Sequence, residues 1–420
     1  MLETAKDGIT LKEKAVMATV PTNQTRTSTA APPSQAPKVR IPTVRISPDN
    51  ESVLKNLGLL KDLAGTWRGH GFNLIARPDR QGSSNLYLQL NQTRETLTID
   101  PIGSSIPNRG FGQDAIELFG LNYLQKISDV FTDGALHIEP GLWVTQPETN
   151  YPLEKAPGAQ IVFRMGSIPH GSALLAQGTA QYFEGVPILK TAGAEYTFSV
   201  FPSFNSTPFA AAPPVPPPII NAAGSSEKAT AAANNLPPFT QYDVGVPESA
   251  TNPRTPFDTN PPDPPLPAKI HDVPMQDVIN DPIKLLQQVI ERQVDQGHSF
   301  RGTVINISTQ AKITFFSQPN SKTGSPSVVV DVADGAGGIE NIPFLEGGEP
   351  VGAQGPNADS ALVYATFWIE QVMHKKRPSF MQLQYAQMVV LNFPIFTLLP
   401  KVVNLGWPHI SVATLRKAFG

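Results

Sequence analysis

The residues best able to do chemistry in this 420-residue chain are a few of its seven histidines, and it has no cysteine. Disulfides, thiolate metal sites, cysteine-ligated cofactors and cysteine nucleophiles are therefore excluded. His409 lies in Gly406-Trp407-Pro408-His409-Ile410-Ser411-Val412-Ala413, which reads as a short closing strand behind a proline. Period two puts Trp407, His409, Ser411 and Ala413 on one face, and Ile410 and Val412 on the other. A neutral imidazole held rigidly on a strand can ligate a metal, and small Ser411 and Ala413 beside it would leave room for a flat ligand. The alternative is a strand-end histidine bonded to a backbone carbonyl.

Three other histidines come second. His137 sits between Leu136 and Ile138 with Glu139 two residues on, so it either lines a cavity or faces solvent with that carboxylate as partner. His170 follows Pro169 at an expected surface turn. His70, between two glycines beside Trp67, is expected at a barrel mouth. A metal site built from His70, His137 and His170 has no close spacing to support it. Conventional catalytic signatures are missing: there is no Gly-x-Ser-x-Gly, no His-Glu-x-x-His and no phosphate-binding loop. Asp334-Gly335-Ala336-Gly337-Gly338 reads as a flexible loop at a cavity rim.

The elements that must position these residues read as strands. Leu63-Ala64-Gly65-Thr66-Trp67-Arg68-Gly69-His70-Gly71 looks like the opening strand of a small up-and-down barrel, with Trp67 plugging its bottom. Leu86, Leu88 and Leu90 alternate with Tyr87, Gln89 and Asn91, a half-buried strand signature. Strands are expected over 93–99, 135–144, 160–166, 173–183, 302–308, 311–316, 327–332, 361–372, 380–393 and 408–417. The pair 364–371 and 381–389, joined by a polar turn at 374–378, is the strongest hairpin. Ile116, Phe119, Tyr123, Leu124 and Ile127 are spaced more like a helix. Val53, Leu54, Leu57, Leu59, Leu60 and Leu63 suggest a helical turn packed on the barrel mouth. Asp281-Pro282 reads as an N-cap and first helical residue, and Gly297 as the stop of that helix.

Composition bounds the rest. Nearly half of the 43 prolines lie between Pro202 and Pro282, and such a stretch favours polyproline II over sheet. The expected organisation is a flexible tail over 1–50, the first part of a β-barrel over 51–202, a Pro-rich insertion over 203–280, and a helix with the remainder of the barrel over 281–420. This is a mainly β, antiparallel up-and-down barrel with a few short helices. A formal net charge of −3 offers no basic footprint for nucleic acid. The N-terminus lacks an apolar signal region, and no run approaches the roughly 20 apolar residues of a membrane helix. A cytoplasmic protein with a small-molecule ligand, and neither nucleic-acid nor membrane partner, is expected.

Four segments resemble, in order, those of nitrobindin-like haem proteins. Gly65-Thr66-Trp67-Arg68-Gly69-His70-Gly71 resembles the opening Gly-Thr-Trp-x-Gly-x-Gly. Leu136-His137-Ile138-Glu139-Pro140-Gly141-Leu142-Trp143 is similar to the internal Leu/Met-His-x-Glu-x-Gly-Phe segment. Ser167-Ile168-Pro169-His170-Gly171 to Gly178 is similar to the strand after it, and Pro408-His409-Ile410-Ser411-Val412 resembles the closing Pro-His-Leu-x-Val. The resemblance covers 63–200 and 300–420. The family domain is about half this size, and the opening motif continues as Phe72-Asn73-Leu74-Ile75 in place of Gly-x-Tyr/Phe-Pro. The resemblance implies a lipocalin-like barrel binding haem b, with His409 as the sole protein ligand to a five-coordinate iron. Trp67, His137, His170, Ser411 and Arg416 would surround the cofactor, Arg416 pairing with a propionate or stacking on Trp67. It implies sensing or conversion of nitric oxide, peroxynitrite or peroxide, as a peroxynitrite isomerase or peroxidase-like enzyme. The competing expectations are a haem-free carrier of an apolar molecule such as a fatty acid, and a scaffold whose Pro-rich insertion recruits partners.

Overall fold

The period-two segments resolve into ten long strands in a computed structural model of the protein. The structure describes residues 50–78, 86–108, 116–145, 160–169, 173–190, 258–260, 267–309, 314–316, 318–319, 329–331, 362–396 and 402–418. The expected N-terminal tail, His170, most of the Pro-rich insertion and the Asp334–Gly338 loop lie outside these residues.

The strands are β1 (Gly65–Pro78), β2 (Leu86–Pro101), β3 (Ile116–Asp129), β4 (Ala135–Thr145), β5 (Gln160–Ser167), β6 (Ala173–Glu184), β7 (His298–Ser308), β8 (Leu362–His374), β9 (Arg377–Phe396) and β10 (Val402–Lys417). Each pairs antiparallel with the next, and β10 pairs with β1 to close the ring. This is a closed, ten-stranded up-and-down barrel of the calycin-like kind, which leaves its long strands no free edge. The segment between β6 and β7 does not interrupt the wall. Arg301 to Ser308 still pair with Glu184 to Gln177, and the Gly185 N–H donates to Phe300 O at 2.9 Å where that segment leaves the barrel.

Three sequence expectations are corrected. Residues 116–127 form β3 and not a helix: Phe119, Leu121, Tyr123, Gln125 and Ile127 are buried, whereas Glu117, Asn122 and Lys126 are exposed. Buried Gln125 and Asp129 hid the alternation, and Phe119, Tyr123 and Ile127, four apart, fit either period. The later helix starts at Lys284. Asp281 instead organises the turn before it, its Oδ1 accepting from Ile283 N at 3.2 Å and its carbonyl from Lys284 N at 3.0 Å. The helical segment expected at the mouth shares an end with Trp67. There α1 (Asn50–Leu57) and a 3-10 turn (Gly58–Leu63) bury Val53, Leu57, Leu60 and Leu63 against Trp67, Leu97 and Ile99.

This plug is pinned from the barrel wall. Trp67 Nε1 donates to Leu63 O at 2.7 Å, and Gln160 bonds both Leu57 O and Leu59 N. Gly58, at φ +55°, lies where a Cβ would fall on the Gln160 carboxamide, so only glycine fits this turn. At the other side of the sheet, α2 (Met275–Asn280) and α3 (Lys284–Asp295) cover the outer faces of β8, β9, β10 and β1. Val278, Ile279, Leu285, Leu286 and Ile290 pack there on Tyr364, Trp368, Met388, Ile410 and Val412. Residues 363–370 and 382–389 are consequently buried on both faces, with Thr366, Glu370, Gln382, Gln384 and Gln387 buried among the apolar side chains. The β8–β9 hairpin turns on Lys375 and Lys376, at φ 50° and 65°, the left-handed pair of a two-residue loop that follows strand twist.

Candidate functional site

Odd-numbered residues of β1–β4 and β7–β10, and even-numbered residues of β5 and β6, point into the barrel. The same parity that brings Trp67, Leu97, Leu121, Trp143, Val162, Ile305, Phe367, Leu383 and Leu415 into one apolar cluster also carries polar side chains inward. Above the plugged end these form a connected layer. Arg164, on β5, gives Nε to the Tyr123 hydroxyl at 3.1 Å and Nη1 to Gln387 Oε1 at 2.7 Å. Its Nη2 reaches Glu139 Oε1 at 2.9 Å and Gln125 Oε1 at 3.3 Å. The guanidinium carbon also lies 5.3–5.5 Å from the ring centroids of Tyr123, Trp143 and Phe367, within cation–π range. Tyr123 donates a short bond to Glu139 Oε1. Gln125 Nε2 continues the layer to Glu95 Oε1 at 2.8 Å, and the Tyr385 hydroxyl donates to Glu95 Oε2 at 2.7 Å.

The charges of this layer are set by burial and pairing. Burial alone would raise the Glu139 carboxyl, but the Arg164 cation, with His137 and Tyr123, brings it down to about 2. Burial opposes the Arg164 cation too, and the Glu139 carboxylate more than compensates. Glu95 has no such cation in contact. Burial pushes it up to about 7, against the lowering hydrogen bonds of Tyr385 and Gln125. Burial, first, keeps the Tyr123 and Tyr385 phenols protonated far above neutral pH. The layer therefore combines one fixed ion pair with a carboxyl poised near neutrality.

His409 stands beyond this layer from the plug. It pairs in register with Val389 and Ile75, and Ser411 pairs with Gln387 and Asn73. His409 and Ser411 are partly buried and share inward parity with fully buried Ala413 below them, whereas Ile410 and Val412 are buried outside under the helices. The ring lies eight residues before Lys417, roughly 26 Å along the strand at about 3.3 Å per residue. At its own rung the inward positions are Val389 and Val363 on one side and Ile75 and Gln89 on the other, with Asn73 and Asn91 beside Ser411 one rung nearer the plug. Asn91 Nδ2 donates to Asp129 Oδ2 at 2.8 Å.

The remaining expected residues divide. His137 faces inward, and its Nε2 is 3.2 Å from Glu139 Oε2, the partner expected from i+2 spacing. Trp67 closes the plugged end. Its cation is Lys417, 5.2 Å from the ring, and not Arg416. Arg416 has the opposite parity: it is exposed on the outer wall, its guanidinium 4.2 Å from the Phe380 ring centroid, so it cannot meet a cofactor beside His409. His70 is also outside, exposed on the outer face of β1 and not at a mouth, and burial, then Arg94 and His271, lower its pKa. With the wall between them, His70 and His137 cannot share a metal. Among the described residues there is no group of three or more His, Asp or Glu that could hold one.

Arg164, Glu95, Gln125, Tyr123, Tyr385 and Gln387 escaped the sequence argument. Their signal was an inward run of polar residues on β2, at Gln89, Asn91, Thr93 and Glu95, which demands polar partners across the barrel. For haem, the donor set at the far end is one partly buried, inward imidazole flanked by the Ser411 hydroxyl, by apolar Val389, Val363 and Ile75, and by the carboxamides of Gln89, Asn73 and Asn91. That is chemistry a haem iron accepts, with His137 already engaged by Glu139. No family model matches the chain, nor does any curated protein or solved structure.

Proposed function

We propose that the protein binds a small ligand inside the barrel, between the Arg164–Glu139 layer and the end opposite the plug, and that this ligand is haem b held by His409. The observation that carries this reading is the inward, partly buried placement of His409 on β10, one rung beyond Ser411 and Gln387. Its apolar neighbours Val389 and Val363 would exclude water from one side of a flat ring, and Ser411 adds little bulk beside it. The resemblance of the opening and closing strands to nitrobindin-like proteins supports the same choice. Haem, when bound, supplies an iron able to take up nitric oxide, peroxynitrite or peroxide, and that reactivity belongs to the cofactor. His409 would hold the iron, the wall would shield it, and Arg164, neutralised by Glu139, would form a rigid polar floor.

Titration of the purified full-length chain with hemin tests this. A sharp Soret band saturating at one equivalent is expected, and His409→Ala should abolish or shift it. Identical weak bands from wild type and variant would overturn the haem assignment and favour an apolar carrier using the same Val363 and Val389 lining.

A further inference from the structure

A cavity lies outside the barrel, between α3 and the outer faces of β1 and β10. It encloses about 360 Å³, at the lower end of small-molecule sites. Its apolar floor is Leu285, Leu286 and Val289 from the helix and Val412 from the wall. Its rim is cationic. Arg416 projects from β10, Arg292 from α3, and the imidazoles of His70 and His271 complete it. Arg292 is already committed: its Nη2 lies 2.6 Å from Asp272 Oδ2 and 3.1 Å from His271 O, tying the helix to the tip of a short hairpin, Lys269–Ile270 with Val273–Pro274. Both tip residues, His271 and Asp272, have positive φ, so the tip is fixed. His70 is biased towards its neutral form by burial, then by Arg94 and His271. With Asp272 balancing Arg292, the rim keeps the positive charge of Arg416, which rests on the Phe380 ring.

We infer that this groove is a binding site for an amphiphilic monoanion, a carboxylate carrying a medium-length apolar chain. The head group pairs with Arg416 at the rim, and the chain lies along Leu285, Leu286, Val289 and Val412. Charge complementarity selects this ligand class: an apolar floor alone would take an alcohol equally well, whereas an unbalanced guanidinium at its edge favours a carboxylate. The site is separated from His409 by the barrel wall and does not depend on the haem assignment.

Calorimetric titration of the full-length chain with decanoate, decanol and decyltrimethylammonium tests the inference. Decanoate should bind at one equivalent, at least tenfold more tightly than decanol, and the ammonium should not bind. Arg416→Gln should weaken decanoate tenfold or more, with Arg416→Lys restoring part of the loss. Val289→Trp, which fills the groove from a half-buried position, should abolish binding, and His409→Ala should leave it unchanged. No decanoate binding, equal affinity for decanol, or indifference to Arg416→Gln would each overturn the inference. Loss of binding in His409→Ala alone would place the ligand in the barrel and overturn it too.

Discussion

Replacing Arg164 with methionine should be the most damaging single change to the barrel interior. The Arg164 and Glu139 side chains are 3% and 0% exposed and joined at 2.9 Å, so removal of the cation leaves a carboxylate buried without its counter-ion. Breaking such a pair costs about 3–5 kcal/mol. Tyr123, Gln125 and Gln387 lose a donor as well, at about 1–3 kcal/mol for each group left unsatisfied. At roughly 2–4 °C per kcal/mol for a domain of this size, the melting midpoint should fall by about 10 °C or more.

The pH dependence carries an independent sign. Glu139 has a depressed carboxyl at about 2, so its contribution is present above the ordinary carboxylate range and lost as pH falls from about 4.5 towards 2. In Arg164→Met that acid-side loss should disappear, because the carboxyl now protonates at higher pH in the folded state. The double variant Arg164→Met/Glu139→Met should recover stability relative to either single change, since paired apolar residues remove both stranded charges. Chemical denaturation of the four proteins gives the coupling energy. A single variant within about 1 kcal/mol of wild type, or no coupling between the two positions, would refute the argument.

Two further outcomes follow from buried groups. Glu370, on the outer face of β8, is lifted by burial to about 8 despite the bond from Gln382 Nε2 at 2.6 Å; it stabilises fully below about 4.5 and ceases to do so as pH rises through about 8, so Glu370→Gln should match wild type in acid and exceed it by a few kcal/mol at pH 9. Thermal melts of the two proteins from pH 4 to 9 check this, and parallel curves would contradict it. Gly166→Ala would place a Cβ on the Tyr123 hydroxyl and the Glu139 carboxylate, and should cost about 1–3 kcal/mol by overpacking, measured by denaturant titration; a neutral substitution would show that the polar layer is loosely held.

Most of the wall was legible because hydrophobic alternation reports the strand period directly. The β8–β9 hairpin was clear from its two flanking runs and polar turn. What alternation does not report is direction when both faces are covered. Phe163-Arg164-Met165 reads naturally as two inward apolar residues around an outward arginine. The structure has the reverse: Phe163 packs outside with Leu118, Val144 and Leu175, and Met165 packs against that cluster, while Arg164 enters the barrel. Arg416 and His70 lie outside by ordinary alternation, counted from inward His409 and Trp67. His137 and Glu139 were paired correctly because their contact is local. Arg164 needed β3, β4 and β9 to assemble before its partners existed, and no spacing within one strand encodes that convergence.

The polar layer is costly in a place where apolar side chains would pack at least as well, and buried ion pairs seldom stabilise a fold relative to apolar substitutes. Its position supplies a physical use. It lies between a plug sealed by Trp67 and the rung of His409, so it gives that rung a rigid, hydrogen-bonded floor that a fluid apolar filling would not. Two consequences separate a ligand floor from a merely structural network. If the Arg164→Met/Glu139→Met variant folds with near-native stability yet binds hemin at least tenfold more weakly, the layer serves the ligand. If both stability and affinity survive, the barrel interior is a packing solution, and any ligand held by His409 touches nothing below Ser411.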